Sequence, residues 1–314
     1  MQLARSAALK LLHDNMPISD GGRILCALHA RCGMRQENRN TPRTGSQQNM
    51  MEDPMKIVTS CVVSGIALVG MGAASAADAD KGLTSRVYTD IVSPSEQVAY
   101  EAGAKAFNKC LADHGSKYRW NAWVHETGDT YKYSYVAGPY AWADFDKMAE
   151  IGKVCDQTWR KEANPHLKSE TSAFLVAMPE LSRMPDDKKA APPALLSVTY
   201  FNLKPGREAD DAFNDNVKKI AAAAEKSKWS YHFVTYKVRG GDKGAPDYIL
   251  VGSYKNWADY GAGPDPGVWK MVEGVSGKAE ADAMRKAIGD AIADASSHVN
   301  SYSAELSYVP AASK

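Results

Sequence analysis

The sequence predicts an α+β protein built from two βαββαβ units in tandem. Three observations carry this. Val87 to His125 aligns on Val198 to Tyr236 with a constant offset of 111 residues and no gap. Strand and helix signals recur in the same order in both copies. All 28 aromatic residues lie at or after Tyr88, so only the downstream part of the 314-residue chain has the material for a core.

The alignment is carried by position. Val87 matches Val198, Pro94 matches Pro205, and Ser116-Lys117-Tyr118 matches Ser227-Lys228-Trp229. After a loop four residues longer in the second copy, Tyr133 matches Tyr248 and Val136 matches Val251. Trp142-Ala143-Asp144-Phe145 then matches Trp257-Ala258-Asp259-Tyr260.

In the second copy, Leu195–Leu203 is rich in β-branched and aromatic residues and ends at Lys204-Pro205-Gly206, which fixes a strand and its breaker. Glu208 to Lys226 is a helix, with acids at its start and lysines toward its end, as the helix dipole favours. Trp229–Val238 is the second strand, Gly240 to Gly244 a hairpin loop, and Tyr248–Tyr254 the third strand. Asn256 caps the next helix, with Asp259 at its third position. A Gly/Pro-rich insertion follows at Gly261–Gly267, then a long helix at Ala279–Ala295 and a last strand at Ser301–Val309.

The first copy runs in parallel: Val87–Val92, Ser95–Asp113, Tyr118–His125, Thr130–Ala137, Trp142–Lys161 and Ser172–Met178. The repeats occupy residues 77–178 and 195–314, joined by a Pro-rich linker at 179–194.

A βαββαβ unit gives a four-stranded antiparallel sheet with both helices on one face and the other face bare. Two copies can cover each other. The element order and the Lys204-Pro205-Gly206 turn resemble the dimeric α+β-barrel superfamily, ferredoxin-like units that pair sheet to sheet, here within one chain. The resemblance implies that fold and sets Cys110 and Cys155 on neighbouring helices of the first copy, where a disulfide is feasible. Some members are cofactor-free or haem-degrading monooxygenases, certain of which use an Asn on the first strand, a Trp after the third and a His on the second helix. Asn202 is shifted in parity, Trp257 falls three residues late with Tyr254 nearer that register, and Ala279–Ala295 holds no His, so the triad is not reproduced. Haem-binding relatives need a proximal His; His166 and His298 are the candidates, with nothing beside them that supports haem.

Upstream of the repeats, Met55-Lys56 precedes an uncharged run from Ile57 to Ala74, closed by Ala74-Ser75-Ala76. This is the layout of a signal peptide at residues 55–76 and implies a periplasmic or secreted product without a stable membrane anchor after cleavage. The rival is a transmembrane anchor. Residues 1–54 then read as an upstream extension that is untranslated or disordered, with translation starting at Met55 or Met51, or else as an organellar presequence. Of the five cysteines only Cys110 and Cys155 fall in the exported part, and two cysteines there pair more often than not. The alternatives are two buried free thiols, or metal ligation through Cys110 and His114 at i, i+4.

Residues 1–76 carry 8 basic and 5 acidic groups, and the remainder is close to neutral. Such a body gives no electrostatic drive toward nucleic acid. No Gly-x-Ser-x-Gly, Ser-x-x-Lys, phosphate loop, His-Glu-x-x-His or Cys-x-x-Cys-His occurs, so no cofactor and no metal are expected. His125-Glu126-x-x-Asp129 has the residue types of a metal cluster but sits at a hairpin tip.

The candidate ligand-binding residues are the aromatics of the second and third strands and the helix after them: Trp123 and Trp142 in the first copy, and Tyr231, His232, Tyr236, Tyr248, Tyr254 and Trp257 in the second. His232 and His125 are the candidate acid–base residues, although the copies do not keep the same ionisable group, since His125 aligns with Tyr236. The expected function is binding of a small apolar or aromatic molecule by a monomer or homodimer. The alternatives are a cofactor-independent oxygenase or isomerase, and a structural or interaction module.

Overall fold

The computed structural model describes residues 83–185 and 191–310. The proposed upstream extension and signal peptide lie outside the described residues, as does part of the linker. The elements run β1 (Thr84–Val92), α1 (Gln97–Asp113), β2 (Trp120–His125), β3 (Lys132–Tyr140), α2 (Trp142–Glu162) and β4 (Leu167–Ala177). They continue with β5 (Leu195–Leu203), α3 (Arg207–Lys226), β6 (Phe233–Arg239), β7 (Tyr248–Tyr254), α4 (Trp257–Ala262), α5 (Val268–Ser276), α6 (Lys278–Ala291) and β8 (Ile292–Tyr308).

The eight strands form one closed antiparallel barrel in the order β1-β3-β2-β8-β5-β7-β6-β4. The two four-stranded sheets therefore do more than face each other. Their edges join, β2 to β8 and β4 to β6, and among the described residues no strand edge is left unpaired. Alternation along each strand sends one set of side chains into the barrel and the other toward the helices. Inside lie Val87, Leu175, Val198, Tyr236, Ile249 and Val251.

The helical layer of the C-terminal half is tightly filled. Phe201 of β5, Phe213 and Val217 of α3, Met271 and Val272 of α5, and Met284 of α6 are all buried in one cluster. Each such side chain contributes roughly 1.5–3 kcal/mol on burial. Leu181, in the segment expected as a linker, is buried in the same cluster, and its carbonyl accepts from Thr235 Oγ1 at 2.7 Å.

Several boundaries differ from expectation. The second strand of the C-terminal half begins at Phe233, not Trp229, because Lys228 takes a left-handed φ of 52° and Trp229 turns to donate its indole N–H to the Pro266 carbonyl at 2.7 Å. His232 is consequently off the strand. The insertion carries its own helix, α5, and α6 ends at Ala291, where the chain turns directly into a 17-residue β8. That strand is twice the expected length because its first part pairs with β5 and its second with β2. Asn256 caps α4 as expected, its side chain accepting from the Asp259 amide at 2.9 Å.

In the N-terminal half, α1 and α2 are stapled by a disulfide between Cys110 and Cys155. At Gly103 they approach so closely that a Cβ would lie 2.1 Å from the Glu162 carbonyl oxygen.

Candidate functional site

The sheet and helices of the N-terminal half flank a cavity of about 560 Å³ that is open to solvent on one side. Its walls are mainly aromatic and aliphatic, with Tyr88, Phe107, Trp120, Tyr135, Phe145 and Trp159 among them. A cleft of this size, apolar with a few convergent polar groups, has the usual form of a small-molecule site.

Asp90, on the helix-facing side of β1, is 1% exposed. Its Oδ2 accepts from the Tyr100 hydroxyl of α1 at 2.5 Å, and that hydroxyl lies 2.9 Å from the Tyr135 hydroxyl of β3, which can donate to it in turn. Asp90 Oδ1 is buried and has no hydrogen-bond partner. Burial pushes the Asp90 carboxyl up to about 7; the Tyr100 bond pulls it back, and Glu170, its cross-strand partner on β4, raises it further through its charge and through a carboxyl–carboxylate hydrogen bond. Burial likewise raises Tyr100 and Tyr135, and it raises Tyr133, hydrogen-bonded to Glu101 at 2.8 Å, to about 12.

Two residues before Asp90 on the same face is Tyr88, and two before that is Arg86. The Arg86 guanidinium stacks 4.5 Å from the Tyr88 ring centroid and 5.4 Å from that of Phe174. Its Nε is buried without a partner. Asp90 Oδ1 and Arg86 Nε are thus buried polar atoms close to the cavity, of a kind that costs free energy when left dry and unpaired.

The other half offers no counterpart. β1 and β5 are each nine residues long and offset by 111 residues, so Phe201 of β5 stands where Asp90 stands in β1, Thr199 where Tyr88 stands and Ser197 where Arg86 stands. Phe201 packs on Phe213 at 5.3 Å between ring centroids and helps fill that layer.

A second polar group lies inside the barrel. His125, 5% exposed, is hydrogen-bonded through Nε2 to Ser134 Oγ at 2.9 Å, and Ser134 Oγ is 3.4 Å from Thr89 Oγ1. Burial first, then His298 and Lys132, push His125 down to about 4, which keeps it neutral. The His298 ring is 6.4 Å from that of His125 and rests on Gly128, whose φ of +78° and lack of a side chain make room for it.

The residues singled out from sequence do not converge on one pocket. Trp123 and Tyr236 point into the barrel, Trp123 against Tyr302 at 5.5 Å. Tyr231 and Tyr254 join hydroxyls at 3.0 Å beside α4. Tyr248 is bound to Asp210 and Lys237, at 2.7 and 3.0 Å. Trp142 packs on Phe174 at 4.9 Å, and Trp257 is 52% exposed. Glu126 accepts from Ser301 Oγ of β8 at 2.6 Å, and Asp129 from the Tyr131 amide at 3.1 Å. His166 pairs with Glu96 at 2.7 Å. His114 Nδ1 lies 3.7 Å from Cys110 Sγ, beside the disulfide.

Asp90, Tyr100, Tyr135 and Arg86 were not among the expected site residues. The signal that finds them is the alignment of the two halves, which sets an acid on a core-facing strand position against a phenylalanine.

The closed antiparallel barrel with helices outside has the dimeric α+β-barrel architecture, completed within one chain. No protein-family model matches the chain, and no curated protein matches it. Solved structures that are similar include a candidate monooxygenase from Lactobacillus acidophilus NCFM, at 10% identity over 70% of this chain and 93% of that one, with a TM-score of 0.44. An anthrone oxidase-like protein is 11% identical over 73% and 96%, with a TM-score of 0.43. A mutant chlorite dismutase from Candidatus Nitrospira defluvii is 10% identical over 71% and 92%, with a TM-score of 0.45.

Proposed function

We propose that the protein binds a small, largely aromatic ligand in the cavity beneath α1 and α2. The single observation that carries this reading is the asymmetry between the halves. One helical layer is filled with phenylalanine, valine and methionine, while the other keeps an aromatic-walled space with Arg86, Asp90 and Glu170 among its lining residues. On this reading the chain is a duplicated βαββαβ unit, the C-terminal copy serving as scaffold and the N-terminal copy as binding site. The protein is exported, which the signal-like residues 55–76 and the Cys110–Cys155 bond support. N-terminal sequencing of protein recovered from the periplasm or medium tests that part; the expected first residue is Ala77.

The binding reading is tested by titrating a panel of small aromatic compounds while following tryptophan fluorescence, since Trp120 and Trp159 both line the cavity. Gly152 also lines it, and a Cβ there meets nothing within 4 Å. Gly152→Phe is expected to keep the fold and weaken saturable quenching at least tenfold. Quenching by no compound, or equal quenching in Gly152→Phe, would remove the reading.

A further inference from the structure

We infer that the Cys110–Cys155 bond is a redox clasp on this cavity: intact, it holds α2 over the aromatic walls, and its reduction by a dithiol lets the first part of α2 lift and release the ligand. The inference rests on the cavity being the binding site and goes beyond it by naming what regulates that site. α2 is unevenly held. Among the described residues from Trp142 to Val154 none is buried, yet Phe145, Met148, Ala149, Gly152 and Lys153 of this stretch line the cavity. They stand over open space, so little apolar burial holds them down. By contrast α5 and α6, which cover the sheet of the other half, bury Met271, Val272, Ala281, Met284 and Ile288. The first buried side chain along α2, among the described residues, is Cys155, packed with Leu111 and Tyr308. Beyond it the helix is fixed: Trp159 packs on Phe107 at 5.2 Å between ring centroids, and Glu162 meets α1 at Gly103. The disulfide thus sits where the loose stretch meets the fixed one. It ties that point to α1 one residue from Leu111, itself a cavity wall residue.

The bond is also placed to be opened. Cys110 is half-buried and Cys155 enclosed, so an incoming thiolate attacks Cys110 Sγ. His114, exposed at the end of α1, sets its Nδ1 3.7 Å from Cys110 Sγ and 3.9 Å from Cys155 Sγ. That nitrogen lies 2.8 Å from the Cys110 carbonyl oxygen, which only accepts, so it carries a proton. A thiolate leaving at Cys155 has this N–H beside it, and such a neighbour makes a sulfur a better leaving group. In the exchange, one thiolate of the dithiol forms a bond to Cys110 Sγ, the Cys110–Cys155 bond breaks, and its electron pair stays on Cys155 Sγ. The second thiolate of the dithiol then displaces Cys110. The dithiol ends as a disulfide, the two cysteines end as thiols, and the two protons given up by the dithiol return to them through solvent.

The test uses dithiothreitol as the dithiol, follows backbone amide exchange by mass spectrometry, and takes 2-naphthol as the aromatic probe. On reduction, amides of residues 146–153 are expected to exchange at least about tenfold faster, while those of 157–162 keep their protection. Affinity for 2-naphthol is expected to fall at least about tenfold with it. The double variant Cys110→Ser, Cys155→Ser should show both changes without reductant. His114→Ala should be reduced more slowly than the wild type, and reduction at the wild-type rate overturns the part given to His114. Exchange that reduction leaves unchanged, or raises equally along all of α1 and α2, overturns the inference and leaves the binding site standing, a result that needs no variant and no ligand. Faster exchange with undiminished 2-naphthol affinity also overturns it. Absence of saturable 2-naphthol binding to the oxidised wild type, or equal binding to Gly152→Phe, overturns the site and the inference together.

Discussion

Asp90 Oδ2 accepts the Tyr100 hydroxyl at 2.5 Å across the layer between β1 and α1. This is a tie between two buried groups of one small unit, and it holds helix to sheet at the wall of the cavity. A buried carboxyl with only one of its two oxygens satisfied is costly to keep, so its neighbours govern both stability and charge state.

Tyr100→Phe removes the only hydroxyl bonded to Asp90. Urea unfolding is expected to show a loss of about 1–3 kcal/mol, the range for stripping a partner from a buried polar group. The Tyr100 bond lowers the Asp90 pKa, so a carboxyl carbon titration by NMR is expected to move upward in the variant.

Asp90→Asn is expected to stabilise the protein increasingly as pH rises. The folded carboxyl ionises only near 7, whereas the unfolded chain releases that proton near 3.8. Between those values the folded state binds more protons, so wild-type stability falls as pH rises through the window, by at most about 4 kcal/mol. Melting curves of both proteins at acid and neutral pH check this; a gap that does not widen toward neutrality contradicts it.

His125→Gln is expected to act with the opposite sign. The unfolded histidine takes up a proton near 6.5 and the folded one not until about 4, so stability falls as pH drops through that interval, by about 3 kcal/mol. Glutamine keeps a partner for Ser134 without a charge to gain. The variant should therefore gain stability relative to the wild type as pH falls from about 6.5 to about 4. Since Asp90 and His125 slope oppositely over nearly the same interval, each single variant should depend on pH more visibly than the parent.

Replacing Cys110 and Cys155 by serine opens a loop with a sequence separation of 45. The chain-entropy estimate for such a loop is about 4 kcal/mol. Denaturant unfolding with and without reductant should show the loss in the wild type and no further effect of reductant in the double variant.

The fold was largely legible in the sequence because the same order of strand and helix signals recurs in both halves. Leu195–Leu203 and Tyr248–Tyr254 have the expected bounds, since both are β-branched or aromatic runs closed by polar breakers. The start of β6 was not, because the turn at Lys228 is set by Trp229 reaching Pro266 across the insertion, a contact with no local signature. The site was harder still. Aromatic residues mark core and pocket alike, and Tyr231, Tyr254 and Trp142 pack with ring neighbours in the layer beside the helices. What distinguishes the cavity is a difference between the halves, Asp90 against Phe201, and attention to what they share passes over it.

The last strand, β8, spans both halves. Its Tyr308 packs with Leu111 and Cys155 in the N-terminal half and gives its hydroxyl proton to the Ser116 carbonyl at 3.0 Å. A nascent chain emerging from the ribosome therefore cannot complete its first-made half until the second part of β8 has been synthesised. Assembly is expected to be all-or-none, and a stop codon ahead of residue 300 should yield an insoluble fragment from which no half is rescued.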